Sequence, residues 1–153
     1  SAYEQFAACE DVVSGEKHYT DSSLEVLNIT YPASIQSGDP FEVELELKAS
    51  RSIVAPIVGM TINNVTAQVV VANNTLSERF VFSLPKGRTR IRVRYDHLSL
   101  ARGMYYLSFV VSEKDMNNQL AALLNTHRFE VRTSVDDYGA GMYRLSPTWE
   151  SAS

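Results

Sequence analysis

Catalysis needs side chains that ionise, attack or coordinate in convergent sets, and this sequence holds few of them. His18, His97 and His127 lie far apart in the chain, and a lone histidine beside a strand reads as a structural residue before a base or ligand. There is no phosphate-cradling GxxxxGK[ST] loop, no dinucleotide GxGxxG, no HExxH and no Cys/His cluster. The serines are many, but none stands in a nucleophile elbow. Asp136-Asp137 has the oxygen ligands a hard cation prefers, although two adjacent carboxylates at a turn are ordinarily solvated. The expectation is a chain without catalysis, metal or cofactor.

What the residues suit better is binding. If segments 53–62, 66–72, 104–112 and 127–132 form one sheet, its outer face carries Ile57, Gly59, Thr61, Gln68, Tyr106, Ser108, Arg128 and Glu130. One aromatic ring, small hydroxyls, an amide and a charged pair suit a neutral polyol. A sugar stacks its C–H face on a ring and pairs its hydroxyls with donors and acceptors. The candidate carbohydrate-binding residues are therefore Thr61, Gln68, Tyr106, Ser108, Arg128 and Glu130; the competing reading is an ordinary solvated face.

The elements that must position these residues are strands. Arg90, Arg92 and Arg94 alternate with Ile91, Val93 and Tyr95, so one face is cationic and the other apolar. Past the Ala101-Arg102-Gly103 corner, Tyr105, Leu107, Phe109 and Val111 share a face opposite Tyr106, Ser108 and Val110. Upstream, Leu24 to Tyr31 reads as an edge strand ended by Pro32, and Ser37-Gly38-Asp39-Pro40 is a turn. That turn feeds Phe41, Val43, Leu45 and Leu47 on one face, with Glu42, Glu44 and Glu46 on the other. Set antiparallel beside 88–95, this strand would form a Glu/Arg ladder, so the arginine run reads as paired rather than as a phosphate site.

Ile53 to Ile62 predicts a central strand, with Pro56 marking a bulge or a strand start nearby and Gly59 a close approach of backbone or ligand. Asn63-Asn64 reads as a hairpin turn before a strand over 67–72, and Arg79 to Leu84 as a further strand. Met116, Leu120, Leu123 and Leu124 fall at helical spacing behind Ser112 and Asp115, which predicts a short helix over 116–124. His127, Phe129 and Val131 alternate with Arg128, Glu130 and Arg132 as another strand, and Met142 to Pro147 supplies a last short one. The fold class these strands predict is an all-β, two-sheet antiparallel β-sandwich with one short helix.

Composition bounds the partners. A chain of 153 residues suits one core. Its net charge of −4 argues against nucleic acid or an anionic membrane held by bulk electrostatics. Cys9 is the single cysteine, so no internal disulfide can form, which suits a reducing, cytoplasmic setting. No apolar run approaches the roughly 20 residues of a membrane span. The triplets Asn28-Ile29-Thr30, Asn64-Val65-Thr66 and Asn73-Asn74-Thr75 match the N-glycosylation pattern but carry meaning only in a secreted protein. Tyr3, Phe6 and Tyr19 near one end and Tyr138, Tyr143 and Trp149 near the other predict that the ends pack on something, with a linker of solvated aromatics the equal alternative for residues 1–15. Ser1 without a preceding Met predicts a processed or excised chain.

One family fits this order of segments. The succession SGDPFEVELEL, PIVGMTI, ANNT, the L-x-L-x-x-G-x-Y-x-L corner of Leu98, Leu100, Gly103, Tyr105 and Leu107, then HRFEVR and the closing run from Gly141 to Trp149, resembles the C-terminal domain of the Wzt family. Wzt proteins are the nucleotide-binding subunits of ABC transporters that export O-antigen polysaccharide. The resemblance covers roughly 24–149. It implies an immunoglobulin-like or jelly-roll sandwich over 21–153, with 1–20 a linker from an absent N-terminal domain, and a non-catalytic carbohydrate-binding domain that recognises the non-reducing end of a lipid-linked polysaccharide and licenses its export. It implies a place in the cytoplasm at the inner face of the inner membrane, with contact to the membrane only through the transporter. It also implies a homodimer that exchanges C-terminal strands. The competing readings are a structural or adhesion-type immunoglobulin-like module that binds no sugar, and an accessory domain of a carbohydrate-active enzyme.

Overall fold

The computed structural model describes residues 17–115, 117–133 and 147–153, and among these residues every regular element is a strand. In chain order they are β1 (Lys17–Thr20), β2 (Leu24–Thr30), β3 (Ser34–Gln36), β4 (Phe41–Ala49), β5 (Ile53–Val54), β6 (Ile57–Asn64), β7 (Val69–Asn74), β8 (Ser83–Leu84), β9 (Gly87–Tyr95), β10 (Gly103–Ser112), β11 (Gln119–Arg132) and β12 (Thr148–Ala152). One sheet runs β1-β11-β10-β6-β7, with β3 lying parallel to the far end of β11; the other runs β12-β9-β4-β2. β5 and β8 form a separate two-stranded ribbon.

The two sheets close on each other because each strand carries one apolar row. Phe41, Val43, Leu45 and Leu47 of β4 and Ile91, Val93 and Tyr95 of β9 meet Tyr105, Leu107, Phe109 and Val111 of β10, all buried. Phe41 and Phe129 bring their ring centroids to 4.5 Å across this core, and Phe129 stacks on Tyr105 at 5.7 Å. The opposite row of the second sheet is the charged ladder: Glu42, Glu44 and Glu46 stand directly across from Arg94, Arg92 and Arg90. Arg92 donates to Glu44 at 3.4 Å and to Glu150 of β12 at 3.0 Å, so the arginine stripe is occupied by carboxylates.

The turn at Gly38, where φ is +93° and a Cβ would be strained, is tied to the corner before β10. Gly38 N–H donates to Leu98 O, Leu98 N–H to Asp39 O, and the Ser37 hydroxyl to Leu100 O. The Tyr105 hydroxyl then reaches back to donate to Ala101 O at 2.6 Å, the tyrosine-corner arrangement of Greek-key sandwiches.

Several expectations need correction. The short helix does not form: Leu120, Leu123 and Leu124 lie in β11, paired to β10 on one side and, from Ala121 to Leu124, to β1 on the other. Register shifts against β10 at both ends of this segment put apolar residues at helical spacing into a strand, and two flanking ladders override the local period. Ile53 to Ile62 is two strands, because Ala55 takes φ +49° ahead of Pro56, which cannot donate to a ladder. The strand expected over 67–72 is displaced to Val69–Asn74, and of Arg79 to Leu84 only Ser83–Leu84 is extended and paired. Residues 17–20, placed by the family resemblance in the linker, form the edge strand β1. Trp149 packs in the core from β12, while the strand expected over 142–147 falls almost wholly outside the described residues.

Candidate functional site

The alternation of β10 sends Tyr106, Ser108 and Val110 to the face away from the core, and cross-strand pairing decides who joins them. Thr61 pairs with Ser108, Asn63 and Arg128 flank Tyr106, and Glu130 pairs with Met104. Five of the six candidates, Thr61, Tyr106, Ser108, Arg128 and Glu130, therefore share the outer face of the first sheet. Gln68 does not. It lies in the turn after β6, where its carbonyl accepts from Asn64 Nδ2 at 3.0 Å and its N–H donates to Asn64 Oδ1 at 2.9 Å. Thr66 adds two donors to the same Asn64 oxygen, which accounts for the asparagine as a turn-former.

Within this face the candidates differ in access. Tyr106 is only 1 % exposed, so its ring offers no open surface. Thr61, Arg128 and Glu130 are half-buried, and Glu130 accepts from Arg132 at 3.0 Å. Ser108, at 5 % exposure, sits in a polar cluster whose other members the sequence reading did not single out. Where β11 bulges against β10, Asn125 adopts φ +56° and turns its backbone and side chain toward Ser108. Asn125 N–H donates to Ser108 Oγ at 2.8 Å, and Asn63 Nδ2 donates to Asn125 Oδ1 at 2.6 Å and Ser108 Oγ at 3.1 Å. Asn63 Oδ1, on a side chain 6 % exposed, is closed to solvent and accepts no hydrogen bond. A buried acceptor without a donor is costly in a folded chain.

Beside the cluster the face is lined by small groups. Tyr19, Ala122, Val110, Gly59 and Asn74 stand in one row across five strands. A Cβ built on Gly59 would come no nearer than 3.7 Å to another atom, so its absence leaves a dip between Val110 and Asn74. The next row holds Ser108, Thr61 and Ala72. At the bulge, the Thr126 hydroxyl lies 2.6 Å from His127 Nδ1, and the imidazole meets the Tyr31 ring edge-on at 5.6 Å. Burial lowers the pKa of His127 and keeps the ring neutral.

Nothing in this arrangement resembles a catalytic or metal centre. Among the described residues no three His, Cys, Asp or Glu side chains come together to hold a metal. His97 contacts Gly38 O at 3.2 Å in the turn network, and Cys9 and Asp136-Asp137 lie outside the described residues. No described helix is long and apolar enough to cross a membrane. A cleft of about 480 Å³ opens instead beside the β5 ribbon, lined by Arg51, Ile53, Val54, Glu113, Lys114 and Asp115, with Arg51 and Glu113 already paired. The outer face of the first sheet presents the half-buried Thr61, Arg128 and Glu130 around a closed polar cluster.

Comparison with known proteins places this platform in a family. No curated protein matches the sequence. Among solved structures, the crystal structure of the C-terminal domain of Wzt aligns with a TM-score of 0.68 at 16 % identity, covering 82 % of this chain and 83 % of that one. A Niemann-Pick type C2 protein from the Japanese carpenter ant aligns with a TM-score of 0.52 at 7 % identity, over 78 % of this chain and 99 % of that one. At these identities the likeness is one of fold. The family model of the Wzt C-terminal domain matches residues 13–145. The chain belongs to the Wzt C-terminal domain family, a domain of the O-antigen ABC transporter subunit.

Proposed function

We propose that this domain binds the non-reducing end of a lipid-linked O-antigen polysaccharide on the outer face of the β1-β11-β10-β6-β7 sheet, without catalysis, and so selects finished chains for export. The observation that carries this reading is the row Tyr19, Ala122, Val110 and Gly59 beside the half-buried hydroxyl of Thr61, on strands held in place by the buried Asn63-Ser108-Asn125 cluster. Thr61, Arg128 and Glu130, the half-buried members of the set, are the hydroxyl and charge partners in this reading, with Ser108 and Tyr106 as buried residues of the same face. Gln68, in the turn beyond Asn64, takes a rim position. Specificity comes from exclusion as much as attraction, because a wrong terminal group leaves buried partners unpaired. The domain acts at the cytoplasmic face of the inner membrane as part of the transporter, with the segment before β1 as the connector to the ATP-hydrolysing part.

A homodimer formed by exchange of C-terminal strands would present two such faces and raise a weak single-site affinity through effective concentration. The transporter family supports this reading over an adhesion module. So does the use of Asn64 and Asn73 in intramolecular hydrogen bonds. The test is calorimetric titration of the chain with the O-polysaccharide of the organism that encodes it, with dextran as the control polymer. Saturable heat with the O-polysaccharide alone is expected, and equal responses to both polymers would refute recognition.

A further inference from the structure

We infer that Tyr19 is the aromatic surface on which a sugar ring of the bound glycan stacks. The inference rests on the glycan-binding reading and goes past it, since composition pointed to Tyr106 and the family resemblance placed Tyr19 in a linker.

Stacking needs a ring whose face solvent can reach before the sugar displaces that solvent. Tyr106 is 1 % exposed and fails this requirement. Tyr19 is 49 % exposed, and among the described residues it is the one aromatic in the exposed class. Its position is also set. β1 pairs with β11 so that Tyr19 stands opposite Ala122, and Ala122 opposite Val110, which stands opposite Gly59. Paired residues share a face, so Tyr19 is on the same side as Ser108 and Thr61. A large ring at the sheet edge followed inward by alanine, valine and glycine makes a step and a tread. The ring is the wall, and the small residues leave room for a pyranose beside it. The half-buried hydroxyl of Thr61 lies one row away along the strands, where the sugar's hydroxyl edge would fall.

The experiment compares the wild-type chain with Tyr19→Ala, Tyr19→Thr, Tyr19→Phe and Tyr19→Trp in titrations with oligosaccharides released from the O-polysaccharide of the source organism. Threonine keeps strand propensity at an edge position, so it separates loss of the ring from loss of β1. Loss of a stacking partner predicts affinity reduced roughly threefold to tenfold in both Tyr19→Ala and Tyr19→Thr, with Phe and Trp near wild type. Affinity unchanged in Tyr19→Ala and Tyr19→Thr, while the wild type binds, would overturn the role of Tyr19 and leave the face itself standing. Absence of saturable binding by the wild type would remove the glycan reading and this inference together.

Discussion

The hydroxyl of Tyr105 donates to the carbonyl of Ala101 at 2.6 Å, closing the corner through which the chain crosses into β10. β10 is the central strand of the first sheet and carries Tyr106, Ser108 and Val110 to the proposed glycan face, so this bond sets where the face begins. Removing the hydroxyl while keeping the ring leaves the Ala101 carbonyl without that donor. Tyr105→Phe should lower stability by about 1 kcal/mol. The check is urea denaturation, where the midpoint should fall with the slope unchanged.

Arg92 bridges three strands, accepted by Glu44 of β4 and Glu150 of β12. All three side chains are substantially exposed, so solvent screens the pairs and the effect of any one is small. Arg92→Gln should lower stability only slightly at low salt, and the difference from wild type should shrink toward zero in 1 M salt. Thermal unfolding at two salt concentrations measures both. A cost that persists at high salt would mean that the arginine stem, not its charge, matters.

His127 is held neutral by burial against Tyr31, so its folded pKa lies below the unfolded value of about 6.5. Below that pH the unfolded chain takes up a proton that the native ring resists, and the unfolded state is favoured. The contribution is absent above about pH 7, grows as the pH falls through 6.5, and levels off once the pH passes the lowered native value. His127→Gln should flatten the stability profile between pH 7 and 5 relative to wild type. Parallel profiles for the two proteins would show that His127 protonates as freely in the fold as out of it.

Asn125 has two duties, a left-handed backbone at the bulge and a side chain that accepts from Asn63. They can be separated. Asn125→Gly keeps the backbone conformation and loses the acceptor, whereas Asn125→Ala loses both. Alanine should therefore destabilise more than glycine, by about 1 kcal/mol. Both variants should weaken glycan binding, because each leaves Asn63 Nδ2 with Ser108 as its remaining partner. Equal stability of the two would argue that the bulge relaxes to a right-handed form.

The sandwich was legible because period-two alternation is a direct record of one-sided burial, and the Glu/Arg ladder because two complementary rows of one length have few other ways to pair. The alternation of β4 and β9 therefore transferred to the structure position by position, including the Glu42, Glu44 and Glu46 register with Arg94, Arg92 and Arg90. What failed were the places where the period breaks. The Leu120 to Leu124 spacing mimicked a helix because bulges shift the frame of β11, a tertiary event that a window of sequence does not record. Asn63 looked like a turn residue because it precedes Asn64, yet it ends up inside the sheet, and Asn125 was hidden in the apparent helix. Tyr19 and Tyr106 were misjudged for access, since alternation gives the face of a side chain but not what covers it. The strand signal just before Leu24 was Tyr19 beside the β-branched Thr20, too short a stretch to read as a strand.

The most direct test of glycan recognition on this face is a backbone amide map of the chain titrated with its O-polysaccharide fragment. Saturable shifts concentrated at Gly59, Thr61, Val110 and Ala122, with the ladder strands β4 and β9 unmoved, are the predicted result. Shifts confined to β4 and β9, or none at saturating sugar, would contradict it.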